Sequence, residues 1–73
     1  MTVRDRVGVA RSRLLAAGLT DDEAGLDARL LAGHVLAWTT ERYFVDANLP
    51  EPPGFAAAFD ALVARRAARE PFA

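Results

Sequence analysis

The sequence predicts an all-α fold, a small bundle of roughly four to five short helices with no sheet. Ala, Leu, Arg and Glu, which are good helix formers, dominate the chain. Apolar residues recur at helical spacing, and no stretch shows the two-residue alternation of a half-buried strand. With 73 residues, of which 52% are apolar, the chain suffices for one small domain with a compact core.

The first helix is predicted over about residues 2–17. One apolar stripe follows its 3.6-residue periodicity. This stripe consists of Val3, Val7, Ala10, Leu14 and Ala17. Gly18 follows the stripe directly and can adopt the left-handed conformation that ends many helices.

The second helix is predicted over residues 20–38 and is expected to be the central helix of the bundle. Thr20 and Glu23 have the spacing of a capping box, and Asp21 and Asp22 suit the positive end of the helix dipole. The helix is apolar on two sides, so neighbours are expected to bury both. One side carries Ala24, Ala28, Leu31, Val35 and Trp38, and the other carries Leu26, Leu30 and Ala37.

Two shorter helical segments follow, separated by a Pro-rich break. Thr39 or Thr40 can cap a short helix over "ERYFVDA". The segment "NLPEPPG" cannot lie inside a helix, although Pro52 or Pro53 can occupy the first turn of the last helix. The residues expected to face inward from that last helix are Phe55, Phe59, Leu62 and Val63.

Composition excludes several classes of protein. A formal net charge of −1 argues against a general nucleic-acid binder, which usually has a clear basic excess. The absence of Cys excludes disulfides and Cys-based metal sites and fits a reducing compartment. No apolar run approaches the ~20 residues needed to span a bilayer, and the N-terminus lacks the apolar core of a signal peptide. The sequence therefore predicts a soluble, cytoplasmic protein that binds neither membrane nor nucleic acid directly.

Candidate catalytic groups are few, and we predict no catalytic, cofactor-binding or metal-binding residue in this chain. His34 shares a helical face with Asp27, but no nucleophile or further ligand accompanies them, so a buried or half-buried structural His is expected. The carboxylates at residues 21–23 are interpreted as helix-capping groups. The aromatic residues expected in the core are Trp38, Tyr43 and Phe44. The glycines show no phosphate-binding or dinucleotide-binding pattern.

An arginine cluster near the C-terminal end of the last helix is the candidate partner-binding surface. Arg65 and Arg69 lie one turn apart on a shared flank and are the predicted contact residues. Arg66 projects toward the apolar side, where a carboxylate at the domain boundary could hold it. The alternative is that these cations only compensate the helix dipole at a solvated helix end.

The order of features resembles the N-terminal domain of the release-factor glutamine methyltransferases, the HemK/PrmC family. The segments that carry the resemblance are "DARLLAGHVLAW" and "FAAAFDALVARRAAREPFA". The residues of the first that match the family pattern are Asp27, Leu30, Leu31, His34, Val35 and Leu36. Those of the second are Leu62, Arg65, Arg66, Glu70, Pro71, Phe72 and Ala73.

The resemblance implies a role in a larger enzyme. Residues 1–73 would be a single helical N-terminal domain, cut at the boundary to a catalytic domain that uses AdoMet. The whole enzyme would methylate the glutamine side chain in the Gly-Gly-Gln motif of peptide-chain release factors. The family's Asn-Pro-Pro-Tyr motif and glycine-rich cofactor loop do not occur in this chain. This domain is therefore expected to dock or orient the release factor and to pack on its own catalytic domain.

Two other functions remain open from the sequence. One is a free-standing helical protein–protein interaction module, such as an adaptor or docking domain. The other is a small helical DNA-binding protein that uses its first helix. Continuation of the gene into a methyltransferase domain would exclude the adaptor, whereas a natural stop codon after Ala73 would argue against the methyltransferase.

Overall fold

Four α-helices form the fold in the computed structural model, which describes residues 1–68. The helices are α1 (Val3–Ala16), α2 (Asp21–Leu36), α3 (Thr40–Asp46) and α4 (Phe55–Ala67). Within residues 1–68 the only β-type pairing is an isolated antiparallel bridge between Thr2 and Pro50. The predicted all-α bundle is confirmed.

Threonines cap the first three helices. The hydroxyls of Thr2, Thr20 and Thr39 each accept a hydrogen bond from the backbone N–H three residues later. At α1 the bond is reciprocated, since the Asp5 carboxylate accepts from the Thr2 backbone N–H at 3.1 Å and its pKa is lowered by this bond. The capping box predicted at α2 is only half formed, because the Glu23 carboxylate accepts from the Thr20 hydroxyl instead.

The C-terminal ends of α1 and α2 both use a left-handed residue near the last turn. After α1 this residue is Gly18, as predicted, with φ of 101°. After α2 it is Ala37, with φ of 56°, and the Trp38 N–H then donates to the Gly33 carbonyl oxygen at 2.9 Å. This turn ends α2 at Leu36, two residues earlier than the sequence suggested.

The core lies where α1, α2 and α4 meet, and α2 is the helix that contacts all three others. The predicted stripe of α1 is buried as far as Leu14, and Leu31 of α2 is only 7% exposed. From α4, Phe55 and Phe59 enter the core with stacked rings whose centroids are 5.0 Å apart. The central position predicted for α2 is thus confirmed.

Only one of the two apolar sides of α2 is buried, so the prediction that both are covered is wrong. Leu26 is 49% exposed and Leu30 is 47% exposed, and Ala37 is exposed as well. The packing explains the difference. The contacts of α1, α3 and α4 with α2 leave these leucines uncovered, and no other described element lies over them.

The start of α4 also differs from the prediction, because neither Pro52 nor Pro53 lies in its first turn. The N-cap is Gly54, whose φ of 82° interrupts the helical path between the prolines and Phe55. The Pro-rich loop is instead held against α1. The Arg6 guanidinium donates two hydrogen bonds to the Glu51 carboxylate, at 2.8 and 2.9 Å, and lowers the pKa of that carboxyl.

Candidate docking surface

A groove of about 260 Å³ opens between α2 and the start of α3. We call it the α2–α3 groove. It is lined by Leu26, Arg29, Leu30, Gly33, His34, Trp38, Thr39, Thr40 and Tyr43. Its surface is mostly apolar with a few polar groups, which is the usual composition of a binding site.

The α2 wall of the groove is a row of side chains spaced one turn apart. Leu26, Leu30 and His34 stand at successive i, i+4 positions, so they share one face of the helix. His34 is exposed, which corrects the prediction of a buried or half-buried structural histidine. The prediction failed because His34 lies on the uncovered side of α2, in register with the two exposed leucines.

The opposite wall comes from the turn after α2 and from α3. Tyr43 is buried, and its burial raises the pKa of the phenol against the opposing effect of two nearby arginines. Trp38 was expected in the core and is half-buried against its edge. Phe44 was also expected there but is 57% exposed, so its assignment to the core is wrong. Helix α3 has only two turns, so its core-facing positions are Tyr43 and the cap residue Ala47, and Phe44 lies about 100° around the helix.

Gly33 on the α2 wall lies close to the backbone of Trp38 on the opposite wall. A Cβ added at this position would lie 3.1 Å from the carbonyl oxygen of Trp38. The missing side chain therefore allows the turn that carries Trp38 to fold back tightly against the end of α2. This turn fixes the position of the indole beside the row of leucines.

Arginines line and border the groove. The Arg29 guanidinium lies 5.7 Å from the centroid of the Phe44 ring, and its Nε donates to the Gly25 carbonyl oxygen at 3.4 Å. The Arg42 guanidinium lies 5.1 Å from the Trp38 ring centroid and pairs with Asp46 at 3.3 Å. Among the described residues, no Asp or Glu lines the groove itself. The described lining therefore combines apolar side chains with the positive charge of Arg29 and carries no carboxylate.

Asp27 lies outside the groove and does not pair with His34. Its carboxylate accepts a hydrogen bond from the Nε of Arg66 at 2.7 Å, which joins α2 to the end of α4. Glu23 lies 4.0 Å from the same guanidinium. A carboxylate does hold Arg66, but it belongs to α2 and does not lie at the domain boundary where it was expected.

The two predicted contact residues have separate outcomes. Arg65 is exposed near the end of α4. Arg69 lies outside the described residues, so their shared flank stays a prediction.

The acidic residues at the start of α2 take part in capping and ion pairs. The Thr20 hydroxyl caps the helix by accepting a hydrogen bond from the Glu23 backbone N–H. Asp21 pairs with Arg11 of α1. In the described part of the chain, no group of three His, Cys, Asp or Glu side chains is arranged to hold a metal ion. Within residues 1–68, no helix combines the length and apolar character needed to cross a membrane.

Comparison with known proteins gives the family. Residues 8–73 match the family model of the PrmC N-terminal domain. The chain belongs to this family. It is 44% identical over 71 residues to a protein of Cereibacter sphaeroides named release factor glutamine methyltransferase. That match covers 97% of this chain and 25% of the relative, so the chain spans about a quarter of the relative's length. No solved structure gives a significant match.

Sequence reasoning found the family but missed the groove. Leu26 and Leu30 were recognised as a second apolar face, and that face was assigned to the interior because amphipathic helices usually bury their apolar sides. The available signal was His34, which continues the face by one further turn with an ionisable group. A polar residue in register with two leucines favours a face that remains in contact with water.

Proposed function

We propose that this chain is the substrate-docking domain of an AdoMet-dependent methyltransferase that modifies a glutamine of peptide-chain release factors. The observation that carries the proposal is the 44% identity, along 97% of the chain, to a protein named release factor glutamine methyltransferase. Because the match covers 25% of that relative, we assign the catalytic domain and its AdoMet site to the remaining three quarters of the parent protein. The adaptor alternative has no comparable support.

The α2–α3 groove fits AdoMet poorly. The α2–α3 groove, at about 260 Å³, is smaller than the ~300–1,000 Å³ typical of small-molecule pockets. Its lining also lacks a carboxylate of the kind that commonly binds the ribose hydroxyls of nucleotides. A groove of this size suits the anchoring side chains of a protein partner. We therefore propose that this groove binds a protein partner and not AdoMet.

A docking domain would contribute to methylation by holding the release factor while its glutamine enters a distant active site. Once the release factor is docked on this domain, its glutamine is held at a high effective concentration near the active site. Docking would therefore lower KM for the whole release factor. Charges near the contact would add orientation and faster association. We retain Arg65, which is exposed, and Arg69 as proposed steering charges. Their effect should weaken as salt rises, since exposed charges are screened over ~10 Å at 0.1 M.

The test compares two substrates with and without this domain. The full-length enzyme and a version lacking residues 1–73 are assayed with intact release factor and with a short peptide containing the target glutamine. Removal of the domain should lower kcat/KM for the release factor at least about tenfold, equivalent to ~1.4 kcal/mol, and leave the peptide reaction unchanged. Equal kcat/KM values for the release factor would contradict the proposal.

A further inference from the structure

We propose that the α2–α3 groove binds an acidic amphipathic helix of the release factor. Apolar side chains of that helix pack beside Leu26 and Leu30, and one of its carboxylates pairs with Arg29. This inference rests on the proposed function and specifies the surface and the chemistry by which docking occurs.

The first argument is the exposed apolar area. Leu26 and Leu30 occupy successive turns of α2, each about half exposed, and Phe44 lies on the same side next to Arg29. Val9 of α1 is also about half exposed, but none of the α1 residues lines the groove in the described part of the chain. Scattered apolar residues are ordinary on protein surfaces, whereas apolar residues that line a groove indicate an interaction site. Val9 therefore provides a matched control.

The second argument is the spacing of the groove wall. The row from Leu26 to His34 spans nine residues of helix, or roughly 12 Å along its axis. A partner helix that presents apolar side chains at i and i+4 has the same repeat of one turn. Such a helix can lie along the row and insert its side chains toward Trp38 and Tyr43 on the opposite wall. The small volume of the groove suits one or two inserted side chains.

The third argument is charge complementarity. Arg29 and His34 are the groove-lining residues that can carry a positive charge, and Asp and Glu do not occur among the described lining residues. The Arg29 guanidinium contacts a backbone carbonyl and the Phe44 ring, neither of which neutralises its charge. A carboxylate of the partner would form a charge-assisted hydrogen bond with it at the edge of an apolar surface. A partner with acidic residues beside its apolar ones is thus favoured.

The same charges disfavour a second copy of this chain as the occupant. A two-fold symmetric dimer would place the same patch on both sides of its interface. Each copy would bring Arg29 and no described lining Asp or Glu to that interface, and like charges at an interface oppose association. The groove therefore accommodates a partner of opposite charge better than itself.

The experiment measures release-factor affinity for three variants of the full-length enzyme by calorimetry. Leu30→Glu places a charge on the apolar wall, Arg29→Glu reverses the charge in the groove lining, and Val9→Glu makes the same kind of change on α1. Each variant is also melted to confirm that it folds, and Leu30→Ala, Arg29→Ala or Val9→Ala replaces the corresponding variant if it does not. Leu30→Glu and Arg29→Glu should each raise the Kd at least about tenfold, and Val9→Glu should leave it within about twofold.

The outcomes separate the groove from the broader function. If removal of residues 1–73 weakens release-factor binding but the Leu30 and Arg29 variants bind as Val9→Glu does, docking occurs elsewhere and the inference is overturned. If removal has no effect, the proposed function itself fails. If Leu30→Glu impairs methylation of the short peptide equally, the groove contacts the catalytic domain instead. If Leu30→Glu dissociates a dimer without changing the affinity for release factor, the occupant is a second copy.

Discussion

Leu30 and Leu31 are neighbours in the chain, yet they belong to two faces of α2 with different surroundings. Leu31 is 7% exposed and packs in the core, whereas Leu30 is 47% exposed and lines the α2–α3 groove. Both faces are apolar and both follow helical spacing. The difference comes from which helices contact α2, so apolar periodicity identifies a face that is suited to burial without saying what buries it.

The largest expected effect separates the two faces by stability. Leu31→Ala should reduce the free energy of unfolding by about 2–5 kcal/mol, because it leaves a cavity among buried side chains. Leu30→Ala should cost less than about 1 kcal/mol, since much of its side chain already contacts water. Leu15→Ala, at a half-buried position of α1, should fall between them. Urea unfolding of the 73-residue chain measures all three, and equal losses at Leu30 and Leu31 would remove the distinction between the faces.

The second prediction concerns the edge of the buried face, where Asp27 holds Arg66 of α4. Asp27→Asn should cost about 1–3 kcal/mol, because the half-buried guanidinium loses a charged hydrogen-bond partner. Asp46→Asn, which removes a more exposed i, i+4 pair with Arg42, should cost no more than about 0.5 kcal/mol. Denaturant unfolding compares the two. If Asp46→Asn lowers the free energy of unfolding as much as Asp27→Asn does, the Asp27–Arg66 pair stabilises the fold no more than an exposed ion pair.

The third prediction uses glycines to sharpen the contrast between groove and plain surface. Gly8→Ala in α1 should stabilise the chain by about 0.5–1 kcal/mol, because a Cβ there meets open space and Ala favours helix. Gly33→Ala should gain less or nothing, since its Cβ would press on the Trp38 carbonyl at 3.1 Å. Thermal melting gives the stabilities, and a change in Trp38 fluorescence should accompany only Gly33→Ala. Equal stabilisation by both substitutions would mean that the turn carrying Trp38 can move away from the added Cβ at little energetic cost.

The smallest expected effect is a pH dependence at the loop that holds α1, away from both faces of α2. The pKa of Glu51 is lowered from its ordinary value of 4.5 by the Arg6 guanidinium. A lowered folded-state pKa gives stability that is present above the unfolded pKa and is lost as pH falls through the folded pKa. Glu51→Gln should therefore be less stable than the natural sequence near pH 7, and the difference should shrink below about pH 4. Melting curves across this range test it, and a constant difference would contradict it.

Much of the fold could be predicted because its determinants are local. The stripe that includes Val3 and Leu14, the threonine caps and the turn at Gly18 all depend on residues within a few positions of each other. The partner of Asp27 is 39 residues away, and the exposure of Leu26 depends on where three other helices lie. The start of α4 depends on the left-handed conformation of Gly54, whereas the two prolines before it suggested an earlier start. Pairing and coverage between distant segments are therefore what sequence reasoning could not provide.

The most direct test of the division between the two faces uses Trp38, which lines the groove and is the only tryptophan in the sequence. Fluorotryptophan incorporated into this chain alone gives a single ¹⁹F resonance, even when an unlabelled release factor is added. We expect that resonance to shift or broaden during the titration, to saturate, and to respond far more weakly when Leu30→Glu is present. Saturable binding of the release factor that leaves the resonance unchanged would contradict a docking role for the exposed face of α2.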